Sequence, residues 1–367
     1  MFLGTSWTWV IGMYLPVLMV RDFGAWGWIV FAVPNVIGAA AMGWVVHERG
    51  QSERIVAAHR LACRTFSLVT LAFHAFFAIW FLLRLAPAGE TLIILIVTGG
   101  VMVFLCVVLQ RLRTAAAITY AVSIAMICSA LYRGLLPDII NSSLRFPLDL
   151  LWLTPVTIFG FLLCPYLDLT FHRARQNLTS GEAQAAFGVG FGSFFLLMIL
   201  FTLGYSGWIG GNLTAAAAWI LFIHMAIQLL FTVAAHLREL LQGVRIARLG
   251  GWTWLVALAI GAAAGAVVGG TQYAGLSIGE VIYRLFMGFY GLIFPTYVLI
   301  CMLPSRHAFT WRVMVWCITV LIAMPLFWMG FIEQQTVWLV PGMAVVLAGR
   351  GVMHLENKRA MTGGTAS

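Results

Sequence analysis

Apolar runs of about twenty residues, the length of helix that crosses the hydrocarbon core of a bilayer, follow one another along almost the whole chain. Twelve are read from the sequence, at 2–21, 25–46, 61–83, 91–110, 114–132, 149–170, 185–205, 213–236, 252–271, 278–303, 309–330 and 335–353. Only short polar loops separate them. Hydrophobic residues make up 62% of the 367 and charged residues 9%, against roughly 25% charged in a soluble domain. The sequence therefore describes an all-α polytopic membrane protein, with membrane lipid as its solvent. The chain enters its first apolar run at Phe2 without a basic leader or a small-residue cleavage site, so no cleaved signal is expected.

The basic residues give an orientation. Loops after even-numbered segments and the C-terminal tail hold Arg49, Arg54, Arg60, Arg64, Arg111, Arg113, Arg173, Arg175, Arg238, Arg245, Arg248, Arg306, Arg312, Arg350, Lys358 and Arg359. Loops after odd-numbered segments hold Arg21, Arg84, Arg133 and Arg145. This 16 to 4 split places both termini in the cytoplasm by the positive-inside rule. The net charge of +9 is thereby spent on topology, and no nucleic-acid partner is expected. A compact, arginine-rich chain reads as a bacterial inner-membrane protein, in which the Asn212-Leu213-Thr214 sequon carries no sugar. The six cysteines all fall in apolar segments without C-x-x-C spacing, so they read as small buried residues.

Two segments stand apart. GTSWTWVIGMYLPVLMVRD, 4–22, and LTPVTIFGFLLCPYLDLTFHRAR, 153–175, each carry a Gly followed by a Pro near the middle: Gly12 and Pro16, then Gly160 and Pro165. Pro removes a backbone donor and Gly tolerates unusual torsions, so both helices are expected to break at bilayer depth. Broken backbone survives there only against a protein-enclosed or watery cavity. Matched interruptions in two halves point to a transporter binding site.

The halves align. A shift of 149 superposes Thr8 on Thr157 and Pro16 on Pro165, and a shift of 148 superposes Gly12 on Gly160. LVTLAFHAFFAIWF in the third segment matches AWILFIHMAIQLLF in the eighth, with His74 and His224 a shift of 150 apart. Five helices separate the starts of the halves, so the second lies upside down. The expected layout is a first repeat at 1–135, a second at 149–303, an added helix pair at 308–355 and a tail at 356–367.

This pattern resembles the LeuT-type fold of the amino acid-polyamine-organocation superfamily, which includes the sodium:solute symporters. The resemblance implies a secondary active transporter of a small organic solute, with the site at the two breaks. Thr8, Gly12, Met13, Tyr14, Pro16, Thr157, Gly160 and Pro165 would line it, and His74 and His224 would flank it. Each histidine has a second reading as a packing donor to a backbone carbonyl. A sodium ion would be held by Thr232, with Gln228 one turn earlier, and by carbonyls near Val10 and Met13. Asp168 is the candidate for protons, four residues before His172 on one helix face; its competing reading is an ion pair with Arg173, Arg175 or the loop after the second segment. An outer gate would pair Arg21 with Glu280, against a local Glu280 to Arg284 pair.

Trp7 and Trp9 read as interface residues or as rings that stack on substrate. Pro34-Asn35 reads as a locally satisfied kink. No metal or cofactor beyond a sodium ion or a proton is expected, and no nucleophile and base fall at the spacing of an enzyme. The alternative function is a transporter-derived sensor or structural subunit without transport.

Overall fold

The computed structural model describes residues 1–135, 146–209, 211, 213–242 and 252–362. Arg145, Asn212, Arg245 and Arg248 lie outside them. Among the described residues, ten helical spans are long and apolar enough to cross a membrane. The protein is an all-α polytopic membrane protein. Its outer surface is apolar, as lipid contact requires: α5 (Ala88–Val103) alone exposes Ile93, Ile96, Val97 and Val101.

The twelve expected segments do not map one to one onto these ten spans. α1 (Phe2–Trp7) is followed by α2 (Val10–Val45), in which two helices, 10–23 and 25–45, are joined without a loop at Gly24. At Gly24 the backbone takes φ 66° and ψ −156°, a region open essentially to glycine alone. There the chain doubles back, and a side chain at Gly27 would collide with the Met19 carbonyl. The segment expected at 252–271 forms only α12 (Thr253–Ala266), fourteen residues, about 21 Å of helix at 1.5 Å per residue.

The core is built around α4 (Arg60–Trp80) and α11 (Ala215–Leu241), whose inward faces are buried. α4 meets α12 closely enough that a side chain at Gly261 would strike the Ala72 carbonyl. α6 (Leu112–Tyr132) and α10 (Leu196–Ser206) pack against α11 and α2. α7 (Asp149–Leu163), a single 3-10 turn (Cys164–Leu167) and α8 (Leu169–Gln176) form the second interrupted helix. α13 (Ile278–Gly288) continues through a wide turn, Phe289–Ile293, into α14 (Phe294–Tyr297). α15 (Phe309–Phe331) and α16 (Leu339–Thr362) close the fold.

Charged residues gather at the two ends of the bundle. At one end Arg64 donates to the Leu240 carbonyl at 3.0 Å, Arg173 pairs with Glu239 at 3.0 Å, and Arg175 donates to the Val46, His47 and Leu178 carbonyls. At the other end sit Arg21, Asp22, Glu280 and Arg284. Helix 25–45 spans the distance between them.

Candidate functional site

A cavity of about 370 Å³ lies between the 10–23 part of α2, α7, α13 with its wide turn, and the end of α15. That volume is within the range of small-molecule sites. Its inner end is formed by Trp7, Trp9, Asn35, Gly160 and Cys164, and its outer end by Asp22, Asp149, Arg284, Gln334 and Thr336. Between them the wall is mostly apolar, with Ile11, Leu15, Leu153, Val156, Tyr283 and Tyr290 and the hydroxyl-bearing Thr157. Gly160 is required by contact: a Cβ there would lie 2.7 Å from the Tyr290 carbonyl oxygen. Cys164 donates its thiol to the same oxygen at 3.3 Å.

The first break lies at Thr8 and Trp9 rather than at Gly12 to Pro16. Thr8 has φ −81° and ψ 63°, Trp9 is extended, and the helix restarts with the Met13 N–H on the Trp9 carbonyl at 2.9 Å. Pro16 sits inside the restarted helix, where it leaves the Gly12 carbonyl without its helical donor and does not interrupt the run. Trp9 fills the break. It is 1% exposed, stacked on His74 with 5.8 Å between ring centroids, and in ring contact with Trp7, Phe66 and Tyr290. Asn35 makes more than a local kink: its Oδ1 accepts the Trp7 indole N–H at 2.6 Å and ties the end of α1 to helix 25–45.

The second interruption runs from Cys164 through Pro165 to Asp168, whereas Gly160 stays inside α7. Thr8 therefore sits in a break, whereas Thr157 sits well inside α7, and the sequence superposition of the two is not a superposition of their surroundings. Gly12, Thr157 and Gly160 line the cavity. Thr8, Met13, Tyr14, Pro16, Pro165, His74 and His224 are absent from its lining. Tyr14 packs against Phe77, Trp80, Phe81 and Tyr283. Thr8 donates its hydroxyl to the Gly4 carbonyl at 2.7 Å.

The histidines are not brought together. His74 Nδ1 lies 2.7 Å from its own Thr70 carbonyl, a packing contact within α4, and its Nε2 has no partner. His224 faces the rings of Phe201 and Tyr205, and neither of its nitrogens has a partner.

Of the oxygens assigned to sodium, three are hydrogen-bonded within the protein, and the buried Gln228 Oε1 has no hydrogen-bond partner among the described residues. The Val10 carbonyl accepts the Tyr283 hydroxyl at 3.4 Å, and the Met13 carbonyl accepts the Tyr205 hydroxyl at 2.6 Å. Thr232 donates to the Gln228 carbonyl at 3.1 Å, and Gln228 Nε2 donates to Ser123 at 2.9 Å. Among the described residues, no group of three or more His, Cys, Asp or Glu side chains is placed to hold a metal ion.

Asp168 is not on a helix face with His172. It is the N-cap of α8, where Oδ1 accepts the Thr170 N–H and hydroxyl, each at 2.7 Å, as Asp does at this position by preference. The His172 ring lies against Ser52 at 2.7 Å and the Tyr166 carbonyl at 2.9 Å. Nor does Asp168 pair with Arg173 or Arg175, which are held by Glu239 and by backbone carbonyls. Its second oxygen lies 4.0 Å from His236 Nε2. His236 was legible in the sequence as the last member of a stripe, His224, Gln228, Thr232 and His236, spaced by four along α11 and buried throughout.

At the outer end both expected pairs form. Arg21 donates to Glu280 at 2.8 and 2.9 Å, and Arg284 donates to the same carboxylate at 2.8 and 3.1 Å. Asp22 bridges Arg21 and Arg284 from the other side. No protein-family model, curated protein or solved structure matches the chain.

Proposed function

We propose that the chain is a secondary active transporter of a small, uncharged organic solute, coupled to sodium or protons. In this reading it has a LeuT-type fold of twelve spans, two inverted five-helix repeats and an added pair. It sits in a bacterial inner membrane with both termini in the cytoplasm. Gly24 then separates the first two spans, and α12 serves as a short ninth.

The observation that carries the reading is the cavity that runs from the Trp7 and Trp9 break to the Arg21, Asp22, Glu280 and Arg284 cluster. An interrupted helix at this depth is tolerated where it faces a cavity. The aromatic and aliphatic wall, with Thr157 and Asn35 as its inner polar groups, suits a neutral solute with one or two hydrogen-bonding atoms.

The test is the melting temperature of the purified protein against a panel of neutral organic solutes, with and without sodium and at two pH values, since a ligand of the folded state must raise it. The reading expects at least one solute to raise it, and Thr157→Phe to abolish that shift. A second reading, a sensor or subunit that has lost coupling, is favoured by the Tyr283 and Tyr205 hydroxyls on the Val10 and Met13 carbonyls. No shift across the whole panel would select it.

A further inference from the structure

The cap at Asp168 uses only half of the carboxylate. Oδ1 accepts two hydrogen bonds from Thr170, whereas Oδ2 has no hydrogen-bond partner among the described residues. Oδ2 lies 4.0 Å from His236 Nε2, which has none either. The other nitrogen of His236, Nδ1, is 3.0 Å from the Ser67 hydroxyl. Both side chains are buried, 0% and 1% exposed.

The cap donors hold one oxygen of this carboxylate and leave the other buried. Among the described residues, no arginine pairs with it: Arg173 is on Glu239 and Arg175 is on backbone carbonyls. Among the described residues, the other titratable groups beside the pair are Cys63 and His74 from α4, Cys164 before the break and Tyr290, with His172 one turn along α8. Among the described histidines, His236 is the one with a nitrogen within 4.0 Å of Oδ2.

We propose that Asp168 and His236 form one proton-binding site at the second helix break. The proton resides either on Oδ2, beside a neutral ring, or on Nε2, beside the carboxylate. A gap of 4.0 Å is too long for a direct hydrogen bond and is the span that a bridging water closes. Loss of the proton leaves a bare buried charge, so release is favoured only in a conformation that lets water reach the break. This deepens the transporter reading by naming the coupling ion as a proton.

The site is tested without transport, by infrared and histidine nitrogen resonance spectra of the purified full-length protein across pH. In the wild type the protonated-carboxyl band and the imidazolium signal are expected to vanish in one common step. His236→Gln places the whole proton on Asp168, and the acid band below that step grows. Asp168→Asn, which keeps a good N-cap, removes the band and leaves His236 neutral at every pH the fold survives. Separate steps for carboxyl and ring in the wild type, or a variant that leaves the other partner's signal unchanged, would overturn the proposal. A common step in a protein that binds no solute keeps the proton site and removes the transporter reading; solute binding without a common step does the reverse.

Discussion

Arg21 and Glu280, 259 positions apart in the chain, meet through two hydrogen bonds of 2.9 and 2.8 Å at the outer end of the cavity. The contact joins helix 10–23 to the first turn of α13, the two elements that border the cavity mouth. Arg21 is 45% exposed, so solvent screens the pair, and its worth is about 1 kcal/mol or less. A contact of that strength can part without unfolding the bundle, as a latch at the mouth would require.

From this latch follows the first prediction. Arg21→Gln leaves thermal stability within about 1 kcal/mol of wild type and speeds the labelling of a cysteine placed at Thr157 by a water-soluble thiol reagent. Unchanged labelling would mean that Arg21 does not restrict the mouth.

Trp9 carries the second. Its ring fills the first break against Trp7, Phe66, His74 and Tyr290, so Trp9→Ala removes a large buried side chain at a cost of roughly 3–5 kcal/mol. Trp9→Phe keeps part of the filling and costs less. Both are read from unfolding midpoints in mixed detergent, and equal midpoints for the two variants would contradict a filling role.

Glu239 carries the third, at the opposite end. Its side chain is 6% exposed and holds both Arg173 at 3.0 Å and Arg238 at 2.7 Å. Glu239→Ala strands Arg238, 13% exposed, beside a second arginine and costs on the order of 3–5 kcal/mol. Arg173→Ala leaves Glu239 with Arg238 and costs less. The same unfolding series ranks the two, and the reverse order would contradict the pairing.

Apolar spans are legible in a sequence because hydropathy summed over about twenty residues overwhelms local detail. The first break is not legible in the same way, because Gly and Pro only weaken a helix locally, whereas the second interruption does contain Pro165. Thr8 and Trp9 break without either residue: Trp9 has a pocket of four aromatic rings to enter, and Thr8 donates its hydroxyl back to Gly4. Pro16 stays helical, since the loss of one donor to Gly12 is tolerable beside a cavity. The Arg21 and Glu280 contact was anticipated from the resemblance and forms, with the local Arg284 contact alongside it. His74 and His224 matched by position alone, and position does not fix surroundings. The partner of Asp168 was hidden by distance along the chain, although the four-residue spacing that ends at His236 marked a buried polar stripe on α11.

A chamber at the first helix break, open toward the Arg21 end, is the claim on which the functional reading stands. The direct measurement is labelling of Thr157→Cys by a membrane-impermeant maleimide in oriented vesicles, with the exposed Cys128 and Cys317 replaced by serine and the cavity-lining Cys164 by alanine. The account predicts reaction from the Arg21 side, and protection by any solute that raises the melting temperature. Failure to react from that side, with the protein folded, would contradict it.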